Sequence, residues 1–518
     1  MTGTANRISV ELPALGDLSA IAAEKNPSGL AFAEDGGESV TWAEFEERSL
    51  VAADAFTDHV RQGDRVAFLS DSSVDTTVLW NGALKAGSVV SYVHTKASPE
   101  TVAYSIDELR PKVLVVHQEF AQFLADRVWD DLACEPTVVV VGPAERSYEQ
   151  STESFLVDAT ATSPDVLHSE DDIAVIAWTS GTTGRPKGWC HTNRSMVLKG
   201  LISGVDQTSV SLTSASTSFM AWYGAVVSTM LAAASVVYLP DWDPARWAEM
   251  VEEYEATGSG MVPTMWRAVL NLDLEEYDFS SLEHVGFVGE QMDQATLETL
   301  REEICPNVVN QYSSTEVHVS RITAEEMEGD RLESVGRPLD GVRVRIIEPG
   351  GAPDDLRPTG ESGEVIVKTA DCPVWAWGQS EKANETFRDG WWYSGDMGYQ
   401  DEEGYLYLEG RTDFMIKSKG VKVFPAPIEA RLNDHPGVDQ AAVVGLDDEE
   451  FGQQVTAAVS RTDPEVTPDE LDQWCLDADT IARFERPREY HFVDSIPRTP
   501  SQKLDRQSVI DRLETDGR

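Results

Sequence analysis

Short runs rich in β-branched residues alternate with segments of helical periodicity over residues 1–165, and the same pattern continues beyond them. The candidate strands of this pattern are 65–69, 89–93, 113–116, 138–141, 235–239 and 284–289. Strands that alternate with helices predict α/β layers built on parallel strands. We therefore predict a large N-terminal region of layered α/β subdomains.

The pattern changes near Gly336, where the candidate strands become short and are separated by Gly, Pro and Asp. These strands are 342–347, 363–367 and 405–408. They predict a β-rich subdomain with hairpins, followed by a compact α+β segment. We predict a large domain over 1–410 and a small C-terminal α+β domain over 411–518.

One polar run, 179–188, carries four hydroxyls, three glycines and two cations directly after the apolar stretch 173–178. A strand that opens into such a loop suits a polyphosphate, because glycines admit the backbone, hydroxyls and amides donate hydrogen bonds, and cations offset charge. The run fails the G-x-x-x-x-G-K-[ST] template of the P-loop, since Arg185 rather than Lys follows Gly184. A polar surface turn is the alternative, but a turn does not require this density of Gly, Thr and Lys.

The composition adds an electrostatic constraint, since 41 Lys+Arg stand against 90 Asp+Glu and the formal net charge of −49 is spread along the chain. Such a surface repels nucleic acid and anionic lipid, so we predict no nucleic-acid partner. It suits concentrated salt, where the Debye length falls to about 3 Å at 1 M. We hypothesise a salt-adapted source organism, a halophilic archaeon.

Several other classes of protein lack their signatures here. The cysteines form no C-x-x-C pair, the histidines form no H-E-x-x-H spacing, and no G-x-S-x-G is present, so zinc and serine-hydrolase chemistry lack support. Residues 1–15 show no signal peptide, and the longest apolar run, 225–239, is too short and interrupted to span a bilayer. We predict a cytoplasmic protein without a membrane span.

The run 179–188 resembles the phosphate loop of the adenylate-forming (ANL) superfamily, which includes acyl-CoA synthetases, luciferases and the adenylation domains of peptide synthetases. Further blocks follow in that family's order. They are 289–291, which resembles the adenine-side loop, 310–316 (Y-G-x-T-E), 392–396 (x-T-G-D), 410–420 (G-R-x-D-x-x-I-K-x-x-G) and 497–506 (P-R-T-x-S-G-K). Six ordered blocks that end with Lys503 make the resemblance specific.

The resemblance implies an AMP-forming acyl-CoA synthetase that uses a carboxylic acid, ATP, Mg²⁺ and Coenzyme A. The ATP-binding residues it implies are Thr179, Ser180, Gly181, Thr182, Thr183, Gly184, Lys187, Gly289, Glu290, Gln291, Asn310, Gln311, Tyr312, Ser313, Ser314, Asp396 and Arg411. The implied catalytic residues are Lys503, Thr315 and Glu316, with Glu316 also the Mg²⁺ ligand. The remaining implied sites are the Coenzyme A segment Lys417, Ser418, Lys419 and Gly420, the hinge Asp413, and Trp222, Tyr223 and Gly224 beside the acyl pocket.

The chemistry of these residue types supports the implied roles. The ring of Tyr312 offers a flat face to adenine, and the Asp396 carboxylate can accept hydrogen bonds from both ribose hydroxyls. Lys503 supplies a cation for charge that develops at the α-phosphorus. Lys417, Lys419 and Lys422 form a basic cluster in a strongly acidic chain, as expected for a segment that meets the phosphates of Coenzyme A.

Three residues depart from the family pattern: Ser394 replaces the Thr of x-T-G-D, and Ser313 and Gln502 stand where glycine is usual. The last two motivate a non-enzymatic alternative, a degenerate nucleotide-binding regulator. The enzymatic alternatives are a stand-alone adenylation enzyme that loads a carrier protein and a luciferase-like oxidase. The run 311–318 lacks the Trp that shortens the pocket of acetate-specific members, which favours medium-chain, branched or aryl acids. A homodimer is expected from the family alone.

The charge hypothesis generates a prediction about salt. We expect the unfolding transition to move to higher temperature as KCl rises from millimolar to molar concentration, because salt screens the self-repulsion of the acidic chain. Thermal unfolding measured across a KCl series tests this expectation. Full stability at low salt would count against salt adaptation.

Overall fold

The structure is a computed structural model that describes residues 12–179, 186–202, 204–289, 292–327, 331–378, 385–419, 421–448, 450–478, 481–498 and 504–516. Its helices are α1 (Leu18–Lys25), α2 (Trp42–Thr57), α3 (Val74–Lys85), α4 (Pro99–Leu109), α5 (Gln118–Arg127), α6 (Thr152–Leu156), α7 (Asn193–Leu201), α8 (Met220–Ala232), α9 (Pro244–Glu253), α10 (Pro263–Leu270), α11 (Gln294–Glu303), α12 (Pro425–Asn433), α13 (Pro468–Leu476) and α14 (Arg506–Asp516). Across these ranges, no helix is both long enough and apolar enough to cross a bilayer.

The strands of the first half are β1 (Leu30–Glu34), β2 (Ser39–Thr41), β3 (Arg65–Leu69), β4 (Val89–Tyr92), β5 (Val113–His117), β6 (Thr137–Val141), β7 (Glu149–Ser151), β8 (Ile173–Thr179), β9 (Lys187–Thr192), β10 (Val210–Thr213), β11 (Ser235–Tyr238) and β12 (Gly258–Met261). Those that follow are β13 (His284–Val288), β14 (Val308–Ser313), β15 (His318–Thr323), β16 (Ser334–Pro338), β17 (Arg343–Ile347), β18 (Gly363–Lys368), β19 (Trp375–Ala376), β20 (Phe387–Arg388), β21 (Trp391–Gln400), β22 (Leu406–Arg411), β23 (Ile416–Ser418), β24 (Val421–Val423), β25 (Val438–Asp448), β26 (Gly452–Arg461) and β27 (Glu489–Phe492).

The chain forms two compact units, and the first comprises the described residues up to Val288 together with Thr299–Val319 and Thr369–Thr386. It contains one sheet with strand order β14-β13-β12-β10-β11-β1-β2 and another with order β19-β9-β8-β4-β3-β5-β6-β7. Most neighbouring strands in these sheets run parallel, as the alternation of strands and helices predicts. The α/β fold class is confirmed.

Strand β3 shows how the layers of the first unit are filled. Val66 and Phe68 belong to a buried cluster with side chains of α1, α2, α3 and α8, whereas Ala67 and Leu69 pack with side chains of α4 and α5. Successive strand residues face opposite sides of a sheet, so both faces of this sheet are covered. Burial on both faces explains why the strands are continuous apolar runs in the sequence.

The run 173–178 forms most of β8, which has a partner that the pattern of the sequence did not predict. Strand β8 runs parallel to β4, but β9 returns antiparallel beside β8, and β19 adds antiparallel to β9. Strands β8 and β9 therefore form a hairpin whose register ends at Thr179 and Lys187, at the carboxyl end of β8. Ligands of α/β sheets bind beyond the carboxyl ends of their strands.

The second unit comprises Gly289–Glu298, Ser320–Lys368 and the described residues from Phe387 onward. Its first sheet has the order β17-β18-β21-β22-β16-β15 with antiparallel neighbours, as the β-rich texture predicts. Its second sheet has the order β24-β23-β26-β25, and β27 runs parallel to β26. Helices α12 and α13 pack on one face of that sheet and α14 packs on the other. The domain division at 410 stays a prediction.

Two glycines of the second unit share a left-handed backbone but differ in their surroundings. A Cβ atom on Gly336, at φ +90°, would lie 2.1 Å from the carbonyl oxygen of Arg321, whereas one on Gly341, at φ +83°, would meet nothing within 4 Å. We predict that Gly341→Ala costs about 1 kcal/mol of unfolding free energy through backbone strain alone. Gly336→Ala should cost about 3 kcal/mol, because it adds a clash between β16 and β15. Thermal unfolding at fixed KCl measures both, and equal losses would contradict this account of Gly336.

Candidate active site

The β8–β9 hairpin fixes both ends of the predicted phosphate loop. Thr179 and Lys187 are register partners, and the Thr179 hydroxyl donates to the Lys187 carbonyl at 3.4 Å. Both residues are half-buried at the mouth of the hairpin. The glycine and hydroxyl residues between them, Ser180, Gly181, Thr182, Thr183 and Gly184, lie outside the described residues.

Strands β13 and β14 deliver the next two predicted segments. They run parallel, with Val288 beside Gln311, so they end toward the same edge of the sheet. Gly289 follows β13 at once with φ +89°, while Glu290 and Gln291 lie outside the described residues. Along the end of β14, Asn310 is buried, Gln311 and Tyr312 are half-buried, and Ser313 is exposed.

A tight turn over 314–318 presents Thr315 and Glu316 directly after β14. The backbone N–H of Ser314 donates to the Val317 carbonyl at 2.8 Å. The Ser314 hydroxyl accepts from the backbone N–H groups of Glu316 and Val317, at 3.1 and 3.2 Å. Thr315 and Glu316 are half-buried, whereas Val317 is buried and anchors the turn.

A buried ion pair lies against this turn, and none of the motifs in the sequence predicts it. The Lys199 ammonium on α7 donates to the carbonyl of Glu316 at 3.0 Å and to Asp371 Oδ2 at 3.0 Å. The same Asp371 oxygen accepts from the backbone N–H of His318 and contacts its ring Nδ1, each at 3.1 Å. The side chains of Lys199 and Asp371 are 0% and 1% exposed.

The protonation states of this cluster follow from its charges. Burial opposes ionisation of Asp371, but the Lys199 charge and the hydrogen bond with His318 outweigh it and hold the pKa of Asp371 well below its usual range. Burial lowers the pKa of His318 despite the Asp371 carboxylate. Burial, assisted by the Lys199 charge, also holds the pKa of the fully buried His191 well below its usual value. Both imidazoles are therefore neutral beside one charged pair.

The second unit brings together two motif residues that stand apart in sequence. Asp396 on β21 and Arg411 on β22 are register partners, and a guanidinium nitrogen of Arg411 lies 3.3 Å from Asp396 Oδ1. Arg411 also donates to the carbonyl of Ser394 at 3.2 Å and pairs with Asp413 at 3.3 Å. Gly395, which precedes Asp396 within β21, has φ +73°. This corner places a carboxylate, 14% exposed, beside a cation, as a ribose and phosphate site requires.

The predicted Coenzyme A segment lies on the hairpin of β23 and β24. Lys417 is exposed, and Ser418 is buried opposite Gly452. Lys419, at φ +49°, packs over Phe451 and donates to Glu450 at 2.7 Å. Gly420 and Lys503 lie outside the described residues.

The residues proposed for the acyl pocket divide into two kinds. Trp222 and Tyr223 are both fully buried and pack edge-on with Tyr92. Gly224 lies on the same helix, α8, and a Cβ atom there would meet nothing within 4 Å. The two aromatics thus belong to the core of the first unit, and Gly224 alone of the three borders open space.

The donor set around the 314–318 turn fits a magnesium site shared with phosphates. In the described part of the chain, no three His, Cys, Asp or Glu side chains gather as a complete set of metal ligands. Mg²⁺ commonly takes only one or two protein carboxylates and completes its shell with waters and substrate phosphates. A single half-buried carboxylate, that of Glu316, meets this requirement.

Most of the chain is similar to known proteins. Residues 20–372 match the family described as AMP-binding enzyme, and 427–503 match the AMP-binding enzyme C-terminal domain. The chain is 28% identical to the 3-hydroxybenzoate–CoA ligase of Aromatoleum sp. (strain CIB), over 90% of this chain and 91% of that protein. It is 29% identical to the fatty acid–[acyl-carrier-protein] ligase ScoC of Streptomyces coeruleorubidus, over 87% of each.

Among solved structures, the fold is similar to that of the anthranilate CoA ligase AuaEII in complex with anthranoyl-AMP. The TM-score is 0.89 at 22% identity, and the likeness covers 98% of this chain and 99% of that one. At this identity the likeness bears on the fold alone.

The buried imidazole of His191 generates a pH prediction. Its folded pKa lies below the ordinary value of about 6.5, so unfolding takes up a proton as pH falls below that value. The unfolding free energy should therefore decline between pH 7 and 5, by up to about 1.4 kcal/mol per pH unit from this group. His191→Gln should make that decline shallower, although His318 continues to contribute. Denaturant unfolding at each pH measures it; the exposed His284→Gln is the control, and equal slopes for His191→Gln and the parent chain would contradict the prediction.

Proposed function

The chain belongs to the family of AMP-binding enzymes, and we propose that it is an AMP-forming acid–thiol ligase that makes an acyl-CoA from a carboxylic acid, ATP and Coenzyme A. The observation that carries this proposal is the 314–318 turn, which holds Thr315 and Glu316 at the end of a parallel strand. The matches to the family over 20–372 and 427–503 support it, as do the ordered motif blocks.

The first half-reaction joins the acid to the nucleotide. A carboxylate oxygen attacks the α-phosphorus of ATP, a new C–O–P linkage forms, and diphosphate leaves with the electrons of the broken P–O bond. The loop between Thr179 and Lys187 holds the β- and γ-phosphates, and Thr315 donates to the α-phosphate. When bound at Glu316, Mg²⁺ offsets phosphate charge. Lys503 bridges the carboxylate and the α-phosphate.

The second half-reaction transfers the acyl group to sulfur. The thiol of Coenzyme A loses its proton and attacks the acyl carbon, and AMP leaves with the bridging oxygen. Lys503 and a channel for Coenzyme A cannot occupy the same face at once. The C-terminal domain, 411–518, therefore rotates about Asp413 and replaces Lys503 with the 417–420 segment.

The acid is proposed to be a medium-chain, branched or aryl carboxylate. One relative is named for 3-hydroxybenzoate and another for a fatty acid, which supports an acid larger than acetate. The open space beside Gly224 supports a pocket along α8. Gly224 then borders the acyl group, while Trp222 and Tyr223 support the wall from behind.

A second candidate is an adenylation enzyme that loads a carrier protein. The observation that favours it is the similarity to a fatty acid–[acyl-carrier-protein] ligase. The two candidates share the first half-reaction and differ in the thiol that receives the acyl group.

The proposal also includes the source organism, the cellular compartment and the oligomeric state of the enzyme. The strongly acidic composition supports a salt-adapted organism, a halophilic archaeon. We propose a cytoplasmic enzyme that functions as a homodimer.

Release of AMP with Coenzyme A as the sole thiol tests the proposed function. We expect AMP and diphosphate to appear only when ATP, Mg²⁺, an acid and Coenzyme A are all present, in molar KCl. A series of straight-chain, branched and aryl acids should show a maximum above acetate. Adenylation that stops after diphosphate release with Coenzyme A, but proceeds with a carrier protein, would favour the second candidate. Absence of acid-dependent diphosphate exchange would overturn both.

Two substitutions separate the half-reactions. Lys503→Ala should slow adenylation by about 100-fold or more, because it removes the cation at the reacting phosphorus, yet it should spare thioester formation from a supplied acyl-adenylate. Asp413→Pro should show the reverse pattern, because it restricts the hinge. Single-turnover kinetics of each half-reaction measures both variants. Equal loss of the two half-reactions in Lys503→Ala would contradict the assignment of Lys503, and an unchanged second step in Asp413→Pro would contradict the hinge.

A further inference from the structure

We propose that Lys199 and Asp371 are positioning residues that hold the 314–318 turn in the conformation that binds Mg·ATP. The inference rests on the proposed function, since it assigns a cause to the placement of Thr315 and Glu316. Neither residue belongs to any of the six motif blocks, and 172 positions separate them in the chain.

The pair holds the turn at two backbone points. Lys199 donates to the carbonyl oxygen of Glu316, and Asp371 accepts the backbone N–H of His318. These points lie on either side of the buried Val317. The two peptide groups that follow Glu316 are therefore held in place. Holding them fixes the direction in which the Glu316 side chain leaves the backbone.

The pair is itself fixed by the surrounding segments. Asp371 Oδ1 accepts from the Thr369 hydroxyl at 2.6 Å, so both carboxylate oxygens are engaged. The segment that carries Asp371 is tied to β9 by hydrogen bonds from the backbone N–H of Val374 to the Cys190 carbonyl and of Trp377 to the Gly188 carbonyl, at 2.8 and 2.7 Å. Strand β9 also forms one side of the phosphate-loop hairpin. The ion pair thus links the turn to the same strand that frames the phosphate loop.

Stability alone is a weak reason for such a pair. Removing two charges from water costs several kcal/mol per ion, and apolar replacements of buried ion pairs are often neutral or stabilising. The first unit contains another lysine–carboxylate pair, the buried Lys85 and the half-buried Glu46, whose ammonium–carboxylate distance is 2.9 Å. Its side chains are 6% and 16% exposed, and Lys85 lies at the end of α3, away in sequence from every motif block. The Lys85–Glu46 pair therefore serves as a matched control.

The test removes the charge of both partners together. In the double variant Lys199→Met with Asp371→Asn, no buried charge is left unpaired, and the Asn carbonyl can still accept from the His318 N–H. The Glu316 carbonyl loses its donor, and the Thr369 hydroxyl, which donates to Asp371 Oδ1 in the parent chain, can accept from the Asn amide instead. The control double variant, Lys85→Met with Glu46→Gln, removes a pair with the same charges that is less completely buried. Calorimetric titration of each protein with Mg·ATP in molar KCl, without any carboxylic acid, measures binding in the absence of turnover. Thermal unfolding of the same proteins measures their stability.

We expect the Lys199→Met/Asp371→Asn variant to bind Mg·ATP about tenfold more weakly than the parent chain, as losses of groups that orient metal ligands typically do. The control variant should bind with the parent Kd, and both variants should unfold cooperatively. A parent-like Kd in the Lys199→Met/Asp371→Asn variant would overturn the inference, as would an equal loss of affinity in the control. Failure of the parent chain to bind Mg·ATP would instead contradict the proposed function.

Discussion

An enzyme that joins a carboxylate to ATP must bring two anions together, and this chain must do so with 90 acidic residues against 41 lysines and arginines. At such a balance, the long-range field of the protein repels its own substrates unless salt screens it. Binding of the anionic substrates therefore depends on single lysines and arginines placed close to them. Under the proposed function, these cations are Lys187 at the β8–β9 hairpin, Arg411 beside Asp396, Lys417 on the β23–β24 hairpin, and Lys503. Lys199 differs from these cations, because its ammonium group binds the backbone of the 314–318 turn and the carboxylate of Asp371.

The fold meets this constraint by directing polar segments to the ends of buried strands. In the first unit, β8 is apolar up to its last residue, Thr179, whereas β14 begins with two valines and is polar from Asn310 onward. The phosphate loop and the 314–318 turn follow directly from these two supporting strands. Sites built on such supports keep their geometry better than sites on free loops. The Lys199–Asp371 pair extends the support of the turn beyond its own strand, because it connects that turn with helix α7 and with the segment tied to β9.

The sequence was sufficient for features that depend on neighbouring residues. Parallel strands, the β-rich segment and the motif blocks each occupy a short continuous stretch, so their patterns were visible without coordinates. Lys199 was not recognisable, because a lysine on a helix is ordinarily a solvated residue, and its partner Asp371 lies far along the chain. The one local signal for Lys199 was its position three residues after the buried Met196. That spacing places Lys199 on the buried face of α7. The difference between the buried Trp222 and Gly224, which borders open space, was also not visible in the sequence. Residues that are adjacent in sequence do not show which face of α8 packs into the core.

In the proposed reaction the acid attacks the α-phosphorus of ATP and leaves one of its oxygens on AMP. Isotope transfer tests this most directly, with a carboxylic acid labelled with ¹⁸O in both carboxyl oxygens, ATP, Coenzyme A and the enzyme in molar KCl. The account predicts one ¹⁸O atom in the phosphate of AMP and none in diphosphate, as mass spectrometry would detect. Label in inorganic phosphate, or unlabelled AMP formed together with acyl-CoA, would contradict it.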